Sequence, residues 1–413
     1  MKSYPYVILG GGVVAGYAAQ AFVEHGLQRE ELCIVTAEKH LPYERPPLSK
    51  TFLAGTQPFT DLLINPPEFY TAQGIAVRVE TPVVQVDFDQ KQLDLIDETI
   101  EYDKLLIATG ARPRQLTMPG AELAGIYYLR SAEDATRIRQ AAEGADRAVA
   151  IGGSFLGMEV AAVLQQMGVE TTLVFPDPHL CERLFTTRMA SFFEHYYRQR
   201  GVTVLSQEKV TGFASSDGHV THVSLASGRD LATDLVVAGV GITPNIDLFV
   251  NSARQVDNGI VINRFLEASL PNIYAAGDVA CYRDLLYDRL RRVDHWDNAV
   301  TQGKHAARSM LGMRQEYVHV PYVFSDFFDL SYEFWGDAQS AERVIYRGEV
   351  EQGSFSVWWL SPTVCLLAAF VLNRPAEERL LAQRWIEEGR QLNVDLLRDE
   401  AQTLQGASKE ILE

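Results

Sequence analysis

The sequence predicts an α/β chain in which one arrangement is built twice, followed by a C-terminal α+β segment. Two glycine-rich fingers predict the doubling. Ile8-Leu9-Gly10-Gly11-Gly12-Val13-Val14-Ala15-Gly16 lies near the start, and Ala150-Ile151-Gly152-Gly153-Ser154-Phe155-Leu156-Gly157 lies well downstream. Each follows an apolar strand, opens a helix-like run and precedes a carboxylate about 20 residues further on. That is the pattern of a Rossmann-like dinucleotide site, and two of them imply two dinucleotides with electrons passing between them. After about residue 316 the pattern changes to strand-like runs and charged helical segments.

The first finger is read from Tyr6–Leu9 as a buried parallel strand and Val14 to Glu24 as a helix. Gly10 permits the tight turn, Gly12 lets backbone approach a pyrophosphate, and Ala15 allows close helix packing. The helix N-terminus offers N–H groups and a positive dipole end to phosphates. Leu32–Val35 reads as the next strand. Glu38 follows it as the candidate for the adenosine ribose hydroxyls, or as an ordinary loop glutamate.

In the second finger, Ala148–Ile151 is a strand, Phe155–Met167 a helix and Thr171–Phe175 the next strand. Gly152 and Gly157 keep the pattern. Ser154 replaces the middle glycine, and its hydroxyl could meet a phosphate or the nicotinamide side. Asp177, after the last strand, favours ribose hydroxyls over a 2′-phosphate and so NADH over NADPH, with Arg183 near enough in sequence to offset it.

The remaining composition narrows the function. The chain has 413 residues, enough for two or three domains, and its 47% hydrophobic and 22% charged content suits a packed globular protein. A net charge of -17 argues against nucleic acid and anionic membrane surfaces as partners. No signal peptide is read at the start, and the run Val364–Leu372 is too short to span a membrane. The four cysteines (Cys33, Cys181, Cys281, Cys365) form no Cys-x-x-Cys pair, which suggests reduced thiols and a cytoplasmic location. No metal site is read from the sequence.

Leu41-Pro42-Tyr43-Glu44-Arg45-Pro46-Pro47-Leu48-Ser49-Lys50 resembles the Pro-Tyr-x-Arg-Pro-Pro-Leu-Ser-Lys segment of FAD-dependent ferredoxin, rubredoxin and monodehydroascorbate reductases. The resemblance implies that Arg45 and Lys50 lie along FAD, with Lys50 near the flavin ring, where a fixed cation would favour the reduced form. Leu105–Pro113 resembles the Ala-Thr-Gly segment that crosses back near FAD, bringing Thr109 and Arg112. Ile273–Ala280 resembles the second FAD fingerprint, so Asp278 would accept hydrogen bonds from the ribityl chain. The later helix start, Asp294 to Gly303, would pack under the flavin. Trp296 either stacks there or packs in the core, and His295 is read as structural rather than as an acid–base group. Glu159 matches a family glutamate near the nicotinamide, or is a carboxylate at a helix start. Ala238–Asn245, with Gly241, resembles the segment that passes the nicotinamide.

Phe175–Pro178, Arg183–Thr186, Phe192–Tyr197, Arg291–His295 and Pro321–Asp337 are most similar to monodehydroascorbate reductases. In that family an arginine of the Arg-Arg-Val segment and a tyrosine of a Pro-Tyr-Phe-Tyr-Ser segment contact the ascorbate radical. The arginine falls on Arg292, whose other reading is an ion pair with Asp294. The tyrosine position is Phe324, which loses the hydroxyl, and the family arginine after the serine is Asp326.

The expected organisation is an FAD-binding domain at 1–110 and 241–315, an NAD-binding domain at 111–240 and a C-terminal domain at 316–413. The implied activity is that of an NAD(P)H-dependent FAD oxidoreductase without a redox-active disulfide. Lys50 would stand beside the flavin, and Arg292 and Phe324 at the electron exit. The acceptor would be a small molecule such as monodehydroascorbate. The alternatives are a small redox protein (ferredoxin or rubredoxin) and a non-enzymatic flavoprotein like apoptosis-inducing factor.

Overall fold

In a computed structural model, residues 2–249 and 256–407 are described, and they fall into two compact units. The first comprises Met1–Arg45, Phe59–Arg112 and Ile242–Pro321; the second comprises Pro46–Pro58, Pro113–Gly241 and Tyr322–Glu413.

The first unit is organised by a sheet whose parallel strands run in the order Ala76–Arg78, Leu32–Val35, Lys2–Leu9, Thr99–Ile107. Ile273–Ala275 pairs in parallel with the end of the last, Leu105 opposite Ile273. The register sets Leu9 beside Val35 and Ile107, so the residues that follow all four strands gather at one end, where open α/β sheets bind ligands. Val7, Ile8, Ile34 and Leu105 are fully buried, as near-continuous apolar parallel strands require. The helix Val13–Glu24 packs against the helix Trp296–Met310. A Cβ on Gly303 would stand 2.7 Å from the Val14 carbonyl oxygen, so only glycine lets these two backbones meet. The first strand begins at Lys2 rather than Tyr6, because it continues beside Thr99–Ile107 through polar residues.

The second unit repeats the plan with parallel strands Thr203–Leu205, Glu170–Val174, Arg147–Ile151, Leu235–Ala238 and Ile126–Tyr127. A hairpin forms within this unit, as Val210–Ser216 against His219–Leu225. The C-terminal sheet is antiparallel, in the order Tyr322–Phe327, Leu330–Gly336, Leu366–Leu372, Ser354–Leu360, Arg343–Glu349. The Leu366–Leu372 strand starts two residues into the apolar run Val364–Leu372, because Val364 turns the chain at φ 58°.

This sheet shares one core with the nucleotide-binding half of its unit, through the helix Thr187–Gln199. Phe185 stacks on Phe193 at 4.8 Å, and Tyr332 lies 5.1 Å from Phe370. Behind the sheet, the buried Arg347 side chain donates to the carbonyls of Leu397 (3.2 Å), Asp399 (2.6 Å) and Gln402 (2.8 Å), and to Glu378 (3.3 Å). The C-terminal segment is thereby fastened to the strand Arg343–Glu349.

Candidate nucleotide and redox sites

The first cradle forms where the first unit's strands end. Gly10 takes φ 124°, and a Cβ there would lie 2.2 Å from the Ala108 carbonyl oxygen. Gly12 precedes the helix Val13–Glu24 and offers no side chain to cap it; the first turn carries no acid. The space over Gly12 is open, its nearest neighbour being an Arg45 nitrogen 3.8 Å from the position of a Cβ. Ala15 is fully buried, as close helix packing demands.

Arg45 donates to Glu38 and to the Tyr43 hydroxyl, and Tyr43 donates to Glu38 at 3.1 Å. Burial lowers the Arg45 pKa, but Glu38, Tyr43 and Asp278 raise it, and the net direction is upward. The guanidinium is therefore a permanent cation above an open glycine. Glu38 stands after its strand as expected, but it also orders that cation.

Asp278 lies in the short helical turn Gly277–Val279, after the strand Ile273–Ala275. The Gly277 N–H donates to the Gln302 side-chain oxygen at 2.8 Å, while Gln302 Nε2 is buried without a hydrogen-bond partner. An orphaned donor beside an open, cationic glycine cradle fits a phosphate-bearing dinucleotide such as FAD. Thr109 is tied to Asn245 by two bonds of 2.8 Å. Arg112 is half-exposed at its side chain and pairs with Asp247 at 2.6 Å.

Trp296 opens its helix and donates its indole N–H to Glu44, which also accepts from the Tyr17 hydroxyl at 2.6 Å. Sequence reasoning singled out neither Glu44 nor Gln302. Each partners a residue more than 20 positions away, and only the Asp294–Gly303 and Leu41–Lys50 segments as wholes had drawn attention.

Arg292 donates to the Asp278 carbonyl (3.1 Å) and pairs with Asp294, leaving its side chain 8% exposed. His295, preceding the helix, has its pKa pushed down to about 4, chiefly by burial. Its folded value lies below the unfolded one, so the unfolded state binds more protons between pH 6.5 and 4. Stability is present above that window and lost as pH falls through it. Thermal unfolding should shift to lower temperature from pH 6.5 to pH 4, and His295→Gln should flatten that slope; an unchanged slope would place the effect elsewhere.

The second cradle lies in the second unit. Gly152 takes φ 126°, with a Cβ position 2.3 Å from the Gly239 carbonyl oxygen, and a Cβ on Gly157 would meet the Gly152 oxygen at 1.9 Å. Ser154 precedes the helix Phe155–Gln166, exposed, and its hydroxyl makes no capping hydrogen bond. Asp177 is exposed beyond the strand Glu170–Val174, as is Arg183. Gly241 takes φ 102°, and its carbonyl accepts from the Arg114 N–H at 2.9 Å.

Glu159 departs from the helix-start reading. The first turn carries no acid, and Glu159 lies one turn in, buried. It accepts from the hydroxyls of Ser49 and Ser325 and lies 3.3 Å from Lys50 Nζ. Lys50 stands 4.8 Å from the centre of the Phe324 ring and 3.8 Å from Asp326. Phe324 is half-buried and stacks on Tyr322 at 5.9 Å. The lysine is thus a mostly buried ammonium among two carboxylates and a ring face.

None of the four cysteines is joined in a disulfide. Burial pushes the Cys33 thiol up to about 12 and the Cys181 thiol higher, so neither is a reactive thiolate. Among the described residues, no helix is long and apolar enough to cross a membrane.

Comparison with known proteins identifies the family. The family described as pyridine nucleotide-disulphide oxidoreductase matches residues 4–303, and the reductase C-terminal family matches residues 322–408. The chain is 36% identical over 410 residues to a monodehydroascorbate reductase of Pisum sativum, covering 93% of this chain and 94% of that one. It is 38% identical over 393 residues to monodehydroascorbate reductase 3 of Arabidopsis thaliana, covering 87% of each.

Among solved structures it is similar to the covalent putidaredoxin reductase–putidaredoxin complex, with TM-score 0.93, 33% identity and 98% of each chain covered. A ferredoxin reductase from Rhodopseudomonas palustris also gives TM-score 0.93, at 28% identity, over 98% of this chain and 100% of that one. The chain therefore belongs to the pyridine nucleotide-disulphide oxidoreductase family, as an FAD-dependent NAD(P)H oxidoreductase of the monodehydroascorbate and ferredoxin reductase branch.

Proposed function

We propose that this enzyme takes hydride from NADH, in preference to NADPH, and delivers electrons singly to a small oxidised acceptor of the monodehydroascorbate kind. Full-length identity to monodehydroascorbate reductases carries this reading of the acceptor. When bound, FAD supplies the chemistry, accepting a hydride and releasing electrons one at a time.

The chain's own residues bind and orient. Gly10, Gly12 and Ala15 would admit the FAD pyrophosphate, with Arg45 as its cation and Glu38 at the adenosine ribose. Thr109, Arg112 and Asp278 would line the rest of FAD, and Trp296, aimed by Glu44, would pack against the flavin. Gly152, Ser154, Gly157 and Gly241 would admit the nicotinamide dinucleotide. Lys50, held by Glu159, would place a fixed positive charge beside the flavin, where it favours added electrons. Arg292 and Phe324 would meet the acceptor, Arg292 after yielding its bond to Asp294. We read the FAD-binding part as 1–110 and 241–315, the NAD-binding part as 111–240 and the C-terminal part as 316–413. Four widely spaced cysteines, none joined in a disulfide, suit a reducing compartment such as the cytoplasm.

A redox protein is the second reading for the acceptor, favoured by the likeness to putidaredoxin reductase. The test is NADH oxidation with monodehydroascorbate, a ferredoxin and ferricyanide as alternative acceptors. Turnover with ferredoxin and none with monodehydroascorbate would reverse the order of the two readings. Absence of any flavin reduction by NADH would leave the non-enzymatic alternative.

Cofactor choice has its own expected result. On the reading that Asp177, exposed after its strand, faces the ribose of the nicotinamide dinucleotide, kcat/KM for NADH should exceed that for NADPH on the order of tenfold, through charge repulsion. Asp177→Asn should narrow the ratio. A higher kcat/KM for NADPH in the unaltered enzyme would overturn the assignment.

A further inference from the structure

We propose that Ser325 is a positioning residue for Lys50, acting through Glu159. The C-terminal segment would thereby take part in the reaction at the flavin. This rests on the reading that Lys50 stands beside the flavin. Glu159 and Lys50 lie in the segment matched by the pyridine nucleotide family, residues 4–303, whereas Ser325 lies in the segment matched by the reductase C-terminal family, residues 322–408. The Ser325 hydroxyl's hydrogen bond to Glu159 joins the two segments at this lysine, inside the second unit.

The geometry gives that bond a specific task. Glu159 Oε2 accepts from the Ser49 hydroxyl, while Oε1 accepts from Ser325 and faces the Lys50 ammonium at 3.3 Å. Ser325 and Lys50 therefore share one carboxylate oxygen. Two hydroxyls fix the plane of the carboxylate, and the plane fixes where the ammonium rests. Without Ser325, Oε1 would be held only by the lysine it is meant to hold. Ser325 is 1% exposed, so water cannot readily take its place.

The strand Tyr322–Phe327 grips the same lysine from its neighbouring positions. The Phe324 ring lies under the ammonium, and the Asp326 carboxylate lies beside it. The other ionisable groups facing Glu159 are Tyr197, Tyr332 and Cys181, whose pKa values are all raised by burial. They add no charge to the carboxylate's surroundings, which leaves the hydroxyls and Lys50 to orient it.

The test compares holoenzymes carrying Ser325→Ala, Ser325→Cys, Ser325→Thr and Lys50→Met with the unaltered protein. Two quantities are read: the flavin midpoint potential by dye equilibration, and the rate of anaerobic flavin bleaching by saturating NADH. Ser325→Ala should lower the potential by about 30 mV, a tenfold change in a two-electron equilibrium. It should slow bleaching about tenfold, as loss of one hydrogen bond to a charge would, with the Kd for NADH changed less than about twofold.

Ser325→Thr keeps the hydroxyl and should restore both. Ser325→Cys, similar in size but a weak donor, should behave as alanine does, and it serves if the alanine variant fails to retain flavin. In the Lys50→Met background, Ser325→Ala should add nothing. If Lys50→Met moves both quantities and the alanine and cysteine variants move neither, Ser325 does not position Lys50. If Lys50→Met itself moves neither, the placement of Lys50 beside the flavin fails first, and the proposal with it.

Discussion

Gly157→Ala is expected to raise the KM for NADH by about 10- to 100-fold while leaving the FAD content of the purified enzyme unchanged. The added Cβ would lie 1.9 Å from the Gly152 carbonyl oxygen, a backbone atom that cannot swing aside as a side chain would. The turn and the helix start must separate, and strain of this kind costs about 1–3 kcal/mol. The displaced groups are those proposed to receive the nicotinamide dinucleotide, so binding suffers directly.

Gly10→Ala is the matched comparison. Its Cβ would stand 2.2 Å from the Ala108 oxygen at φ 124°, and this variant should emerge depleted of FAD. Absorbance ratios of flavin to protein and steady-state kinetics check both. If Gly157→Ala loses FAD and Gly10→Ala keeps it, the two cradles have been assigned the wrong way round.

Arg347→Met should destabilise the enzyme by about 3–5 kcal/mol, the usual result of breaking a buried ion pair. At this chain size that lowers Tm by roughly 4–6 °C. The substitution leaves the carbonyls of Leu397, Asp399 and Gln402 without their donor, and leaves Glu378, 3% exposed, to Arg374. Arg347→Lys should recover only part, because one ammonium cannot reproduce a planar fork of donors. Calorimetry checks the shift, and a loss below about 1 kcal/mol would mean the C-terminal segment is held by packing instead.

Both glycine cradles were legible because their causes are local. A finger needs small residues at fixed offsets and an apolar strand before it, and Leu32–Val35 and Ser354–Leu360 form where continuous apolar or β-favouring runs occur. Strand limits were less legible, since Lys2 and Ser3 join the sheet only because Ile100 and Glu101 lie beside them.

The surroundings of Lys50 were hardest to read. The lysine itself came from a resemblance, whereas the Ser325–Glu159 bond spans 166 positions and leaves no periodicity to detect. Glu159 reads either as a glutamate near the nicotinamide or as a helix-start acid, and only its burial and its two hydroxyl donors remove the second reading. Arg292, read as a substrate contact or an ion pair, is seen bonded to Asp294 and to the Asp278 backbone.

The pairing of Leu105 with Ile273 also bears on how the chain is made. The ribosome must add well over a hundred residues after Leu105 before the partner strand exists. At roughly 5–20 residues per second, that is a delay on the order of ten seconds or more. Throughout it, the edge of Thr99–Ile107 waits without its last neighbour, an invitation to stray pairing. The second unit waits likewise for Tyr322–Phe327 before its core closes. Both units of this enzyme therefore close only after a long stretch of intervening chain has been added, and slower translation should lengthen the interval in which a nascent chain is open to proteolysis.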